Sequence, residues 1–173
     1  MVIVLSLHWE PAIEADCSPL LHLIYFEPRI AGNTGAAIRL AAVTGARLHL
    51  IEPLGFDFSE AKVRRAGLDY HDLATVRVHA SLDDCLAELP DSRIYAFEVS
   101  ADQPYTGISY QRGDALLFGP EPTGLPVEVL TNSRISARLK IPMLPSRRSL
   151  NLTNAAAIAV YEAWQQLGFI GAS

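Results

Sequence analysis

Short strand-like segments alternate with helix-like segments along most of the chain, and this alternation is the strongest constraint on its fold. Six such strand segments cover residues 21–26, 46–53, 75–80, 93–100, 114–119 and 137–143. Continuous apolar runs such as LHLIYF (21–26) are typical of strands that are buried on both faces. Helices are predicted near residues 34–44, 59–67, 81–89 and 153–167. The pattern therefore predicts an α/β domain with a largely parallel sheet.

Residues that favour helix ends support these assignments. Asn33 or Thr34 is the predicted N-cap of the first helix, and Gly45 is predicted to end it in the left-handed conformation. The other predicted ends are Ser81 with Asp84 for helix 81–89, and Thr153 or Asn154 with Gly168 for the last helix.

The length and apolar composition predict one domain that binds a partner chain. A chain of 173 residues can bury one proper core, which we assign to residues 21–173 after an extension of residues 1–20. Half of the residues are hydrophobic, which is more than a freely solvated monomer needs. Because the last helix is apolar on several sides, we expect a homodimer that uses this helix and helix 34–44.

Charge and cysteine content exclude several classes of protein. The net charge of −5 disfavours a general nucleic-acid coat, although a local basic patch remains possible. The two cysteines, Cys17 and Cys85, give no disulfide framework, so an intracellular, cytoplasmic protein with reduced thiols is expected. The first twenty residues lack a basic region and carry acidic residues, so neither a signal peptide nor a membrane span is predicted.

Common cofactor motifs are also missing. No GxGxxG follows the first strand and no GxxxxGK[ST] occurs, which disfavours a dinucleotide fold or an NTPase. The five histidines lack the spacing of metal ligands, so no metal site is predicted. His22 and His49 lie inside predicted strands, where a hydrogen-bonded structural role is the better interpretation.

The most distinctive segments are three loops that follow strands. They read EPRIAGNTGAAIR (27–39), LLFGPEPTGLP (116–126) and IPMLPSRRSLNLTNAAAIAVYEAW (141–164). In this order and spacing they resemble the three motifs of the SPOUT superfamily of RNA methyltransferases. The similarity is closest to its small TrmL (YibK-like) branch, which methylates the ribose 2′-oxygen at the wobble position of tRNA. RRAGLDYH (64–71) is also typical of that branch.

This resemblance implies a fold, a cofactor and partners. The fold would be a SPOUT α/β-knot, with a mostly parallel sheet and a C-terminal trefoil knot that periodicity alone could not predict. The methyl donor would be S-adenosylmethionine, bound near the interface of a homodimer, and the other partner would be tRNA. By family position, the donor would be held by Phe97, Gly119, Glu121, Ile141, Met143, Ser149, Leu150 and Asn154. From composition alone, the apolar members of this set are ordinary core residues, and Glu121 is better explained as a residue that fixes its loop.

Arg39 is unusual because it stands in an otherwise apolar helix. A buried guanidinium is costly unless it is paired, so Arg39 either lies on a water-facing edge or meets an anionic group. The resemblance implies a catalytic role for Arg39, with Asn33 at the mouth of the same loop and Ser149 beside them. We expect Arg39 to orient the ribose and to stabilise the developing alkoxide, because a guanidinium stays protonated. A surface or dimer ion pair is the alternative.

A group of basic residues is expected to contact tRNA. It consists of Lys62, Arg64, Arg65, His71, Arg147 and Arg148. For each of these residues alone, a solvated surface charge is the simpler interpretation. Two departures from the branch weaken the assignment of the RNA target: Thr123 replaces a usual arginine, and Ser146-Arg147 replaces Asp-Ser.

Two alternatives to methylation of cytidine or uridine 34 remain open. One is 2′-O-methylation of ribosomal RNA or of guanosine 18 in tRNA, although that group more often carries an added N-terminal domain than a twenty-residue extension. The other is an RNA-binding protein that kept the fold and lost turnover. The sequence does not specify the tRNA isoacceptors, a required prior base modification or the proton acceptor.

Overall fold

A computed structural model describes residues 19–57 and 76–172 of the chain. Within these residues the sheet has seven strands in the order β3-β2-β1-β6-β4-β7-β5. Each neighbouring pair is parallel. The strands are β1 (His22–Phe26), β2 (Arg47–Ile51), β3 (Val76–His79), β4 (Ile94–Phe97), β5 (Gln103–Pro104), β6 (Ala115–Phe118) and β7 (Ile135–Lys140). The helices are α1 (Ala31–Thr44), α2 (Leu82–Ala87), α3 (Val127–Leu130) and α4 (Leu152–Gln166).

Strands formed late in the chain occupy the interior of the sheet. β6 lies between β1 and β4, and β7 lies between β4 and β5. Their registers align Phe97 at the end of β4 with Phe118 of β6 and with Leu139 of β7. Because the strands are parallel, the three loops that leave β4, β6 and β7 emerge at one edge of the sheet.

Apolar side chains alternate between the two faces of the sheet and build a core on each side. Leu23 and Tyr25 of β1 belong to the cluster covered by α1 and α4, whereas Ile24 belongs to the cluster covered by α2. The α/β class and the parallel sheet are therefore confirmed, with all six predicted strands present. β5 and α3, which are two and four residues long, were too short to predict from periodicity.

The predicted N-caps of α1 are wrong. The helix begins at Ala31, its N-cap is Ile30, and no side chain caps it. Asn33 and Thr34 lie in its first turn. The Asn33 side chain does not cap the helix because it forms hydrogen bonds with Glu121 and Asn151. The predicted end is confirmed: Gly45 follows Thr44 in the left-handed conformation, with φ of 70°.

The predicted N-caps of α4 are also wrong, while that of α2 is confirmed. The N-cap of α4 is Asn151, whose side-chain oxygen accepts hydrogen bonds from the backbone N–H groups of Thr153 (3.0 Å) and Asn154 (3.2 Å). At α2, the hydroxyl of Ser81 accepts from the N–H of Asp84 at 3.1 Å. The predicted helix 59–67 lies outside the described residues. Among the described helices, none has the length and hydropathy needed to cross a bilayer.

Candidate active site

A cavity of about 630 Å³ lies at the edge of the sheet where β4, β6 and β7 end. This is a volume typical of small-molecule sites. Its walls come from the loops that leave these three strands and from the start of α1. The lining residues on the three loops fall within 97–100, 118–125 and 141–151, and the helices add Ile30 and Asn33 at the start of α1 and Leu152 and Ala155 of α4. The three sequence segments singled out above therefore converge on one site.

The cavity combines apolar walls with negative charge. Phe97 and Phe118 stack on each other at its base, with ring centroids 4.5 Å apart and planes inclined by 16°. The described lining residues include two carboxylates, Glu98 and Glu121, and no lysine, arginine or histidine. Such a site disfavours a phosphate-bearing ligand and suits a ligand that carries a positive charge.

Gly119 is required because the loop after β6 folds back onto it. A Cβ atom at this position would lie 2.3 Å from the backbone nitrogen of Leu125 and 2.4 Å from the carbonyl carbon of Gly124. Both neighbours are backbone atoms, so a side chain cannot be accommodated by a change of rotamer. The absence of a side chain at Gly119 thus permits the tight loop 119–125 that forms one wall of the cavity.

The carboxylate of Glu121 fixes this loop to the start of α1. It accepts hydrogen bonds from the backbone N–H of Arg29 (2.8 Å), the backbone N–H of Ile30 (3.2 Å) and the side-chain amide of Asn33 (2.8 Å). Burial raises the pKa of Glu121, but these hydrogen bonds outweigh burial and hold the pKa below its ordinary value. Glu121 is therefore an ionised anchor with its oxygens occupied, which is unsuited to a general base.

A second set of polar contacts joins the starts of α1 and α4. The side-chain amide of Asn151 donates to the side-chain oxygen of Asn33 at 2.8 Å. The Thr153 hydroxyl donates to the backbone carbonyl of Asn33 at 2.8 Å, and the Tyr25 hydroxyl donates to Thr153 at 3.2 Å. Burial raises the pKa of Tyr25, so its hydroxyl stays protonated as this donor role requires. Asn33 is thus held from both sides, by Glu121 and by α4.

Most of the predicted donor-binding residues line the cavity. They are Phe97, Gly119, Glu121, Ile141, Met143, Ser149 and Leu150. Asn154 does not belong with them: it is exposed on α4 and contributes no lining atom, because Asn151 occupies the position at the helix start that faces the cavity. Sequence reasoning also missed Glu98, whose position directly after a strand at this edge is the available signal.

Asn33 and Arg39, predicted to act together, lie apart in the described chain. Asn33 is buried and lines the cavity, whereas Arg39 is exposed and contributes nothing to its lining. The two residues are separated by six positions, which is about 9 Å along the axis of a helix and a different face of it. In the described chain Arg39 is therefore an exposed residue of α1.

The predicted tRNA-binding residues are only partly described. Arg147 and Arg148 are exposed and directly precede Ser149, so they lie next to the cavity without lining it. Thr123, which replaces the usual arginine, is exposed and lines the cavity from the loop after β6. The remaining members of the predicted patch lie outside the described residues: Lys62, Arg64, Arg65 and His71.

Comparisons with known proteins agree with this geometry. A profile of the SpoU rRNA Methylase family matches residues 20–161. A tRNA (cytidine(34)-2′-O)-methyltransferase from Aeromonas hydrophila is 46% identical over 152 residues, covering 88% of this chain and 97% of that protein. A solved structure concerned with the 2-OH methylation of C/U34 on tRNA is 44% identical, with a TM-score of 0.79, and covers 88% of this chain and 99% of its own.

A more distant structure carries a ligand. It is an AdoMet-bound rRNA methyltransferase from Sinorhizobium meliloti, 26% identical, with a TM-score of 0.73 over 85% of this chain and 56% of that one.

Proposed function

Because the chain belongs to the SpoU rRNA Methylase family, we propose that it transfers a methyl group from S-adenosylmethionine to the ribose 2′-oxygen of tRNA nucleotide 34, a cytidine or uridine. The observation that carries this proposal is the convergence of the three motif loops on one cavity, in a chain 44–46% identical to proteins described with that activity. The rRNA-specific neighbour is less similar, at 26% identity.

The cavity fits S-adenosylmethionine on its own chemistry. This donor supplies a methyl group activated by a positively charged sulfonium, and it has no phosphate. Glu98 and Glu121 give the cavity a negative field, and its lining has no basic side chain among the described residues. Phe97, Ile141 and Leu150 offer apolar surface, while the bent backbone of 119–125 offers peptide groups for hydrogen bonds.

We assign the ribose-facing role to Arg39 of a second copy of the chain. Arg39 is exposed and does not line the cavity of its own chain, and we therefore place it at the cavity of a partner subunit. Helices α1 and α4 pack against each other on one side of the sheet. Their outer surfaces leave apolar side chains exposed, namely Val43 (57%), Ile158 (37%) and Tyr161 (46%). A homodimer through these helices would cover that surface and carry Arg39 toward the partner's cavity.

The chain's contribution to the reaction is mainly placement and electrostatics. Methyl transfer is an in-line displacement at carbon, so the 2′-oxygen must be held in line with the sulfonium. The guanidinium of Arg39 orients the sugar and stabilises negative charge on that oxygen, since it remains protonated throughout. Glu121 is occupied by three donors, so the proton leaves late, to water or to a phosphate of the substrate.

Further features of the proposal follow from the family. Arg147, Arg148 and the basic residues of 62–71 contact phosphates of the tRNA. The chain after β7 forms a trefoil knot. The position of β7 between β4 and β5 in the sheet supports this part of the proposal. Residues 21–173 act as one domain after an extension of residues 1–20. The free thiol of Cys85 and the tRNA substrate favour a cytoplasmic protein.

Two measurements on the full chain test this function. Calorimetry with S-adenosylhomocysteine measures occupation of the cavity, and transfer of tritiated methyl groups to bulk tRNA measures turnover. Nucleoside mass spectrometry of tRNA from a deletion strain then identifies the target, with loss of 2′-O-methylcytidine or 2′-O-methyluridine at position 34 as the expected result.

Each outcome has a distinct meaning. Loss of a methyl group at guanosine 18 or in ribosomal RNA would reject the wobble target and keep the reaction. Donor binding without any transfer would instead indicate an RNA-binding protein that has lost turnover. Failure to bind S-adenosylhomocysteine would reject the donor site itself.

A further inference from the structure

Three histidines on neighbouring strands form a hydrogen-bonded row on the face of the sheet opposite α1 and α4. The distance from His22 Nδ1 to His49 Nε2 is 2.9 Å, and that from His49 Nδ1 to His79 Nε2 is also 2.9 Å. The strand register aligns Ile24 with His49 and Ile51 with His79. Each histidine therefore lies two residues further along than its neighbour, with its side chain on the same face. The proposed active site does not use this row.

A cysteine from α2 completes the cluster. The ligand atoms of His49, His79 and Cys85 all lie within 4.8 Å of one another. The three residues are only 1%, 5% and 0% exposed, and they come from β2, β3 and α2. A buried convergence of two imidazoles and a thiol from three separate elements is a donor set typical of metal sites.

We propose that His49, His79 and Cys85 bind a divalent metal ion of the zinc class. One thiolate and two imidazoles favour zinc over magnesium or calcium, which prefer oxygen ligands. Tetrahedral zinc geometry places such ligand atoms about 3.3–3.6 Å apart. The pair of histidine nitrogens, now 2.9 Å apart, must separate by roughly half an ångström to admit the ion. Three protein ligands leave the fourth position for water.

The surroundings provide the second coordination sphere of such a site. Histidine ligands of metals are held by a hydrogen bond at their other ring nitrogen. Here the Nε2 atom of His49 is held by His22 at 2.9 Å, whereas the Nδ1 atom of His79 lies 3.8 Å from the carboxylate of Glu88, which is too far for a hydrogen bond. A second cavity of about 880 Å³, lined in part by His22, His49 and Glu88, borders the row of histidines. Coordination by Cys85 replaces the proton of its thiol, which is released to solvent as the metal–sulfur bond forms.

Such an ion would hold the edge of the sheet together. β3 is an edge strand of the described sheet, and α2 has only six residues. An ion bound to His49, His79 and Cys85 would link both elements to β2. The sequence does not reveal the set because the ligands are separated by 30 and 6 positions on different elements, without a compact motif.

Titration of the full-length, metal-free protein with Co²⁺ tests the site. Cobalt bound to a thiolate gives a near-ultraviolet charge-transfer band, which we expect to saturate at one ion per chain and to disappear when Zn²⁺ is added. Cys85→Ser should abolish the band. Cys17→Ser, which removes the other thiol, should retain it. Circular dichroism of each variant verifies that it is folded.

A third variant keeps the test independent of the cysteine. Glu88→Gln leaves all three ligands in place and removes a charge 3.8 Å from His79, so it should keep the charge-transfer band and raise the Kd for Zn²⁺ by only about 2–5-fold. Absence of a charge-transfer band in the unaltered protein would overturn the proposal. A band that survives Cys85→Ser or is lost with Cys17→Ser would also overturn it, because the ion would then bind elsewhere.

Discussion

Replacement of Gly119 by alanine tests whether the close packing of loop 119–125 builds the donor cavity. The added Cβ would lie 2.3 Å from the backbone nitrogen of Leu125, whereas ordinary contacts begin near 3.4 Å. The loop must therefore move by about 1.1 Å at this point. Overpacking of this kind costs about 1–3 kcal/mol. Because the cavity includes lining residues from Gly119 to Leu125, the same displacement should weaken donor binding by about 10–100-fold, or about 1.4–2.8 kcal/mol.

Gly35→Ala is the matched control for this substitution. Gly35 lies inside α1, and a Cβ there would meet no atom within 4 Å. Alanine in a helix interior should stabilise the chain by about 0.5–1 kcal/mol. Urea unfolding gives the stability of each variant, and calorimetry with S-adenosylhomocysteine gives its Kd. Wild-type stability and wild-type affinity in Gly119→Ala would refute the role assigned to this loop.

Four further variants test the polar framework and the RNA-facing groups. Glu121→Gln should lower the free energy of unfolding by about 1–2 kcal/mol at pH 7, because an amide cannot accept from all three donors. The pKa of Glu121 in the folded chain is depressed below its ordinary value of 4.5. The loss of stability in Glu121→Gln should therefore be present above pH 4.5 and vanish as the pH falls through the folded pKa. Unfolding at several pH values measures it. Asn151→Ala removes the N-cap of α4 and a partner of Asn33, and should cost about 1–2 kcal/mol in the same assay. Arg39→Lys keeps the charge and loses the planar fork, so kcat should fall at least about tenfold while the Kd for S-adenosylhomocysteine is unchanged; near-full activity would contradict its orienting role. The double change Arg147→Ala and Arg148→Ala should reduce the slope of log Kd for tRNA against log salt by up to about 2, and an unchanged slope would exclude phosphate contacts there.

The fold was predictable wherever burial imposes a simple period. LHLIYF and DALLFG read as buried strands because both of their faces are covered, and the structure contains β1 and β6 at those places. The starts of α1 and α4 were not predictable from cap preferences. Asn33 is of a residue type that is common at N-caps, but its side chain forms hydrogen bonds with Glu121 and Asn151. Both partners are far from Asn33 in the sequence, so preferences for neighbouring residues cannot predict them.

The candidate site was predictable only through its motifs. Phe97, Ile141 and Leu150 face a cavity, whereas core residues face other side chains. The spacing of apolar residues along the sequence is the same in both cases, so it cannot distinguish them. The resemblance to SPOUT proteins supplied that distinction, and the match to the SpoU rRNA Methylase family over residues 20–161 confirms the resemblance itself. The hydrogen-bonded structural role expected for His22 and His49 is confirmed. Their alignment with His79 was not predictable, because the register that aligns β1, β2 and β3 is a property of the sheet.

The polar contacts explain why the first and third motifs act together although more than a hundred residues separate them. Asn33 is the shared member: its side-chain amide donates to Glu121 in the second motif, and its side-chain oxygen accepts from Asn151 in the third. A change in any one of these side chains leaves a polar partner unsatisfied beside the cavity, so its effect should reach the other two loops. Donor affinity and the stability of α1 and α4 are therefore coupled. A double substitution of Glu121 and Asn151 should consequently cost measurably less or more than the sum of the single changes, since both act through Asn33.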